Sequence, residues 1–258
     1  MQSHQRNLFR KRTGLFSSNK NDSLHYLRSF LWVWLTFILA LYASWMILAK
    51  ADFLYGVWYD YAGIGEHIDH YAPQNRFRHG FEDTDADTRK QLFAGIVNAI
   101  HNHGEGLKEL SYPHPTLPVR IPLLHKAEID HLTDVALLLD FLKRLGWGLL
   151  LLWAALTTYL LMMKRSFPTA KLAWGNIGIG LLLLAAILVL YGPKQVFYQL
   201  HMWVFPANHH WFFYYQDSLM STMMKAPDLF AYISTSLLLV GLIIFFLLIK
   251  LFNRHKTI

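Results

Sequence analysis

The 258-residue sequence contains no cysteine and few charged residues. Without cysteine, the chain forms no disulfide and offers no thiolate as a nucleophile. Asp, Glu, Lys and Arg make up only 16% of the residues, whereas 54% are hydrophobic, and the mean hydropathy is +0.24. Ordinary soluble domains carry about 25% charged residues and are less apolar. The composition therefore indicates a membrane protein.

Four long runs of the sequence are apolar and almost free of charge. Each approaches the roughly 20 residues that a helix needs to cross a hydrocarbon core of about 30 Å. A helix also satisfies its own backbone hydrogen bonds, which lipid cannot do. The sequence therefore predicts an all-α integral membrane protein with four transmembrane helices, at residues 29–49, 145–163, 172–191 and 233–252. The connecting segments are 50–144, 164–171 and 192–232, and the tails are 1–28 and 253–258.

Basic residues predict the orientation of these helices. The turn between the second and third helices contains Lys164, Arg165 and Lys171 without an acidic residue, and both tails are basic. Lys and Arg beside membrane spans favour the cytoplasmic side. We therefore place the turn and both termini in the cytoplasm and the segments 50–144 and 192–232 outside. This topology explains the net charge of +7, so the charge does not indicate a nucleic-acid partner.

The first outer segment is too long for a simple connection and predicts a folded unit. An apolar stripe at helical spacing predicts a helix over 87–100, capped by Thr84 or Asp85. The four prolines within 111–124 exclude a helix interior and predict extended chain. A second helix is expected from Leu124 into the second span. With the second outer segment, these elements predict a mainly helical extracytoplasmic cap.

Four polar residues recur at every third position of that second helix: His125, Glu128, His131 and Asp134. Residues three apart share a helix face, so His131 can contact both Glu128 and Asp134. One interpretation is a histidine that a carboxylate orients and makes more basic; the other is a hydrated helix face with ordinary charge pairs. Glu-x-x-His is also a metal-ligand spacing, but no second copy occurs.

The sequence FYQLHMWVF places His201 among apolar side chains shortly after the third span. Burial there predicts a pKa near or below the ordinary histidine value, which suits a general base. The alternative is a histidine whose ring is satisfied by a nearby carbonyl. Most of the aromatic residues that follow are typical of a membrane-interface belt. Ser218, after Asp217, is predicted to cap a short helix.

These motifs resemble the DUF1461 family of four-helix membrane proteins, whose characterised members are lipoprotein intramolecular transacylases. The resemblance rests on EIDHLTDV around His131 and FYQLHMWVF around His201. A third block of the family resembles Trp211, Phe212, Asp217, Leu219, Pro227 and Phe230. Membership implies a protein of the bacterial inner membrane whose site faces outward. It also implies that the essential histidines are His131 and His201.

The resemblance further implies transfer of an acyl chain from the glycerol sn-2 position of a diacylated lipoprotein to its N-terminal cysteine amine. In this hypothesis His201 takes a proton from the amine. His131, braced by Asp134, donates to the oxyanion or to the leaving oxygen. The predicted substrate contacts are Glu128, Phe197, Trp203, Phe205, Trp211 and Asp217. No metal or cofactor is expected. The alternative is a non-catalytic envelope protein whose cap binds lipid or a protein partner.

Overall fold

The computed structural model describes residues 2–205 and 209–254, with side chains from Ser23 onward. The last part of the predicted tail 253–258 therefore lies outside the described residues. The helices are α1 (Gln2–Ala49), α2 (Tyr55–Tyr61), α3 (Ile64–Tyr71), α4 (Ala86–His101), α5 (Lys126–Met162), α6 (Ala170–Tyr191), α7 (Pro193–Val204), α8 (Leu219–Met223) and α9 (Asp228–Arg254). Short 3-10 turns occupy Asp52–Leu54, Ala72–Gln74 and Tyr215–Asp217, and two short strands are β1 (Ser111–Pro113) and β2 (Arg120–Pro122).

Four of these helices are long and apolar enough to cross a membrane, which agrees with the predicted number of spans. They are Ser23–Ala49, Lys126–Met162, Ala170–Tyr191 and Asp228–Arg254. The tail predicted before the first span is not separate from it, because α1 continues as one helix from Gln2. Many apolar side chains of α5, α6 and α9 remain exposed, including Val189 at 84%. Such a surface is what helices in contact with lipid present.

Aromatic and polar contacts join the spans at the end where α5 finishes. Trp32 is fully buried there and packs against Phe167 and Phe252. Its indole N–H donates to the Thr157 hydroxyl at 2.9 Å, and the Trp153 indole donates to Thr36 at 2.8 Å. There is no hydrophobic driving force between helices in lipid, so hydrogen bonds between side chains commonly help to join them.

Helix α5 is one continuous rod that joins the cap to the second span. It begins after His125, whose ring accepts from the Ala127 N–H, while the Glu128 carboxylate accepts from the His125 N–H. This reciprocal capping fixes the start of the helix. With 37 residues, the helix is about 56 Å long, far more than a hydrocarbon core. Its polar first half, up to Arg144, therefore extends beyond the predicted span 145–163.

The cap is a compact unit at the end of the bundle where α1 finishes and α9 begins. Its helix α4 starts where predicted, because the Asp85 carboxylate caps it by accepting from the Thr88 N–H at 2.7 Å. The apolar stripe of α4 is buried against α2, where Tyr55 and Phe93 stack with ring centroids 3.9 Å apart. The proline-rich stretch is extended, as predicted, and forms the hairpin β1–β2.

The second connecting segment joins the same unit. Gly192, with a positive φ of 82°, separates α6 from α7, a conformation that glycine adopts without steric cost. Ser218 caps α8, as predicted, by accepting from the Ser221 N–H at 2.9 Å. Leu219 and Met223 of α8 are buried in the core of the cap. Both connecting segments therefore meet at one end of the bundle.

Candidate functional site

The two histidines singled out from the sequence lie face to face. His131 projects from the first half of α5 and His201 from α7, and their ring centroids are 6.3 Å apart with planes inclined by 32°. Both residues stand outside the four predicted spans. This separation meets the geometric requirement for an enzyme site, since one reacting group fits between two imidazoles at that distance.

Aromatic rings enclose this pair, which we call the imidazole pair. Phe205 contacts both members, with centroids 5.0 Å from His131 and 5.3 Å from His201. Phe197, one turn earlier on α7, lies 4.1 Å from His201, and Trp211 approaches the same ring at 5.1 Å. The rings therefore reduce the contact of the imidazoles with water and strengthen electrostatic interactions between them.

A cavity of about 370 Å³ opens beside the imidazole pair. This size lies within the usual range for a small-molecule site. The predicted contacts Phe197, Phe205 and Trp211 all line it. Its wall also includes side chains from α1, α5, α8 and α9: Trp45, Leu132, Val135, Leu138, Met220, Ser221, Met224 and Phe230. A cavity with apolar walls and two imidazoles can bind an acyl chain and also exchange protons.

Burial keeps both imidazoles neutral at physiological pH. It lowers the pKa of His131 from 6.5 to about 4, and repulsion from His201 adds to this effect while Asp134 opposes it. Burial also lowers the pKa of His201, partly offset by its hydrogen bond to a backbone carbonyl. The direction expected for His201 from its apolar sequence neighbours is confirmed. Neutral imidazole is the form that accepts a proton.

The backbone of α7 determines which His201 nitrogen is free. Nδ1 lies 2.9 Å from the Phe197 carbonyl oxygen. A carbonyl oxygen only accepts, so Nδ1 carries the hydrogen and Nε2 of the neutral ring has its lone pair. The sequence left two interpretations of His201, a ring bonded to a backbone carbonyl and a general base. The two are compatible, because one ring nitrogen makes the bond and the other keeps its lone pair.

Nδ1 of His131 is buried without a hydrogen-bond partner among the described residues. A buried polar atom left unpaired costs about 1–3 kcal/mol, so most such atoms in folded proteins are paired. The exceptions include groups with a catalytic role. His131 therefore differs from an ordinary core histidine, whose ring nitrogens are paired.

Asp134 does not brace His131, contrary to the expectation from their spacing. Its Oδ2 lies 2.5 Å from Nδ1 of His209, an interaction with the loop after α7. Residues three apart share a broad helix face, but here His131 points to the cavity and Asp134 to a polar cleft beside it. Among residues 2–205 and 209–254, no group of three or more His, Asp or Glu could hold a metal ion.

Glu128 is an internal anchor rather than a substrate contact. Its side chain is 1% exposed. One oxygen accepts from the Ser218 hydroxyl at 2.6 Å and from the Met220 N–H at 3.0 Å, and the other accepts from the His125 N–H at 2.7 Å. The carboxylate therefore fastens α8 to α5 one turn before His131, and it does not line the cavity.

Two other predicted contacts lie away from the cavity. The Asp217 carboxylate accepts from Arg76 at 3.0 Å, and its carbonyl oxygen is 2.9 Å from Nε2 of His125. Trp203 is 74% exposed on the outer face of α7. Neither lines the cavity. Their positions correspond to a structural contact and to the membrane-interface belt.

The contribution of Trp45 and α8 to the cavity could not be predicted from local sequence patterns. Trp45 lies within the first span, where one more tryptophan is unremarkable by pattern. Met220 and Ser221 belong to a five-residue helix that only the cap at Ser218 indicated. These residues complete the wall because α1, α8 and α9 converge on the cap, a tertiary arrangement that local spacing does not encode.

Comparisons with known proteins identify the family and the fold. Residues 29–226 match the family described as "Lipoprotein intramolecular transacylase Lit". Two solved structures of this transacylase from Bacillus cereus have the same fold. The variant with a histidine-to-arginine substitution has a TM-score of 0.61 at 17% identity, covering 95% of this chain and 97% of its own. The histidine-to-alanine variant has a TM-score of 0.63 at 16% identity, covering 93% and 98%. No curated protein matches the sequence.

Proposed function

Because the chain belongs to the lipoprotein intramolecular transacylase family, we propose that it is a membrane-embedded acyltransferase that acts on lipoproteins. It moves an acyl chain from the sn-2 position of the diacylglyceryl group to the amine of the N-terminal cysteine. The observation that carries this proposal is the imidazole pair, with two neutral rings 6.3 Å apart beside an apolar cavity.

The four spans make the chain a multi-pass membrane protein. We place it in the bacterial inner membrane with both termini in the cytoplasm, because basic residues flank the ends of the spans opposite the cap. The cap and the imidazole pair then face outward. At that level the ester and the amine of an anchored lipoprotein lie beside the cavity, together with its acyl chains.

The first step is attack of the amine on the ester carbonyl. An α-amine has a pKa of roughly 7.7–8.0, so it is mostly protonated near neutrality and must lose a proton to attack. That proton leaves to solvent. Nε2 of His201, whose lone pair is free because Nδ1 is bonded to the Phe197 carbonyl, takes a second proton from the attacking nitrogen. The new N–C bond forms while negative charge builds on the carbonyl oxygen, and an N–H of neutral His131 donates to that oxygen.

The second step breaks the bond between the carbonyl carbon and the glycerol oxygen. The proton held by His201 passes to that oxygen, which leaves as a hydroxyl, and both imidazoles return to their neutral state. The amine gains one acyl group and becomes an amide, and the glycerol loses that group, so no water or external reagent is consumed. Donor and acceptor belong to one molecule, and holding both in place supplies much of the rate enhancement.

Apolar side chains of α7 and of the loop after it bind the transferred chain. Phe197, Phe205 and Trp211 form this wall around His201. Trp203 instead contacts the membrane from the opposite face of α7, consistent with its exposure.

Mass spectrometry of lipoprotein N-termini tests the proposal. We expect an amide-linked acyl chain on the cysteine in cells that produce this protein and its absence in cells that lack it. Lipoproteins with identical N-termini in both strains would refute the transferase function.

Matched variants test the roles of individual side chains. His131→Ala and His201→Ala should each abolish formation of the amide while the protein remains folded in the membrane. Asp134→Asn is the control, because its carboxylate contacts His209 rather than His131, and we expect it to retain most activity. Full activity in either histidine variant would exclude the imidazole pair as the catalyst.

The alternative is a non-catalytic envelope protein whose cap binds lipid or a protein partner. It gives no reason for two histidines to approach each other, and it predicts that single histidine substitutions have little effect. The same variants therefore separate the two functions.

A further inference from the structure

A second, larger cavity lies between the spans at the end nearest the cap, and it is half open, with lining side chains such as Leu184 partly exposed. Its volume is about 550 Å³, and side chains of α1, α5, α6 and α9 line it, among them Ile38, Tyr42, Leu149, Leu184 and Leu238. All these residues belong to predicted spans. The chamber, as we call it, is therefore an apolar space at membrane depth.

The polar residues of the chamber belong to the side of the cap. His101 ends α4, and Lys143 stands just before the apolar part of α5. The Lys143 ammonium donates to the His101 carbonyl at 2.6 Å and contacts Asp140 at 3.4 Å. An occupant therefore meets polar groups at one end and only apolar side chains at the other, which matches the ester end and the tail of a lipid chain.

Trp45 lines both the chamber and the cavity of the imidazole pair. Its indole N–H donates to Nε2 of His101 at 3.0 Å, and Nδ1 of His101 donates to the Val97 carbonyl at 2.7 Å. The ring also packs on Phe53 at 4.8 Å. Trp45 is thus fixed as the partition between two neighbouring apolar spaces.

We infer that the chamber binds the acyl chain that stays on the glycerol, with Trp45 separating it from the chain that is transferred. This inference rests on the proposed function. A diacylglyceryl group carries its two chains on adjacent carbons. The reacting ester must lie between His131 and His201, so its chain enters the smaller cavity. The other chain begins only a few bonds away, and the nearest apolar space on the far side of Trp45 is the chamber.

Photo-cross-linking identifies the occupant without requiring turnover. The probe is a synthetic diacylglyceryl-cysteinyl lipopeptide with a diazirine at the end of the sn-1 chain, bound to the full-length protein in nanodiscs. We expect the label on chamber residues of α1, α5 and α9. The isomer with its diazirine on the sn-2 chain should label residues around the imidazole pair.

Two pairs of variants test the chamber, and each pair compares a variant that fills it with a control on the same helix. Leu184→Trp fills the chamber from α6, whereas Leu183→Trp places the same ring on a neighbour that is 62% exposed and outside the chamber. On α9, Thr235→Phe fills the chamber, and Leu239→Phe is the control because Leu239 is exposed and outside the chamber. Each filling variant should reduce sn-1 labelling about tenfold, as expected when roughly two methylene groups lose their apolar contacts. The two controls should label like the unmodified protein.

Sn-1 labels confined to the lipid-exposed faces, or unchanged by both filling variants, would overturn the inference and place this chain in the bilayer. The outcome is distinct from failure of the proposed function. Chamber labelling by a protein that forms no amide would refute the transferase and support the binding site. Amide formation without chamber labelling would support the transferase and refute the binding site.

Discussion

Replacing Ser218 by alanine should destabilise the junction that holds the cap against α5. The Ser218 side chain is fully buried and serves two neighbours. It donates to the Glu128 carboxylate at 2.6 Å, and it accepts from the Ser221 N–H at 2.9 Å as the cap of α8. Ser218→Ala removes both interactions at once.

The expected loss in the free energy of unfolding follows from these two contacts. An N-cap serine contributes about 1 kcal/mol, and a hydrogen bond to a charged group contributes about 1.5–3 kcal/mol, so the substitution should cost about 2.5–4 kcal/mol. Thr169→Ala is the matched control, because Thr169 caps α6 by accepting from the Leu172 N–H at 3.3 Å and has no buried carboxylate beside it. It should cost only about 1 kcal/mol.

Detergent-induced unfolding in mixed micelles measures both values. A double-mutant cycle with Glu128→Gln then isolates the Ser218–Glu128 interaction, and we expect a coupling energy above about 0.5 kcal/mol, the scatter seen for independent sites. A loss in Ser218→Ala no larger than in Thr169→Ala, or a coupling energy of zero, would refute the assignment of Glu128 as the anchor.

The remaining predictions concern pH and the core of the cap. The rate of transfer should fall tenfold per pH unit below about 8, as the substrate amine becomes protonated. This decline should become steeper only below pH 6.5, because burial lowers the pKa of His201 and lowers that of His131 to about 4. A second break at or above pH 6.5 in the profile of kcat/KM would contradict this. Arg89→Lys should lower the free energy of unfolding by at least about 2 kcal/mol, since lysine cannot replace all its bonds, among them those to Tyr59 and Asp69. Asp69→Ala should cost less than about 1 kcal/mol, because the carboxylate is 63% exposed. Equal losses of unfolding free energy in Arg89→Lys and Asp69→Ala would contradict this prediction.

Hydrophobic runs and capping residues predict most of the secondary structure because those signals are local. The four spans, the helix that Asp85 caps and the continuity of α5 follow from composition and periodicity alone, and all are confirmed. The helix α7 was not predicted individually, since the sequence predicts residues 192–232 only as one outer segment. Gly192 is the residue that divides α7 from the third span.

The candidate site could be predicted only in part. A family resemblance identified His131 and His201, and their proximity depended on both outer segments meeting at one interface. Helical spacing correctly placed Asp134 near the face of His131, but it cannot tell which of several neighbours a carboxylate binds once a distant loop brings His209 to it. The same limit applies to Glu128, whose partner Ser218, the cap of α8, is remote in sequence.

The two imidazoles differ in how they are attached to the membrane. His131 belongs to a rod continuous with its span, so it moves only when the span moves. His201 belongs to α7, which has no fully buried residue and joins its span through Gly192. A small tilt about that single residue changes the gap between the rings while the bundle stays still. Under the proposed function, the distance between the two reacting groups therefore depends on how α7 packs against the cap as well as on the bundle.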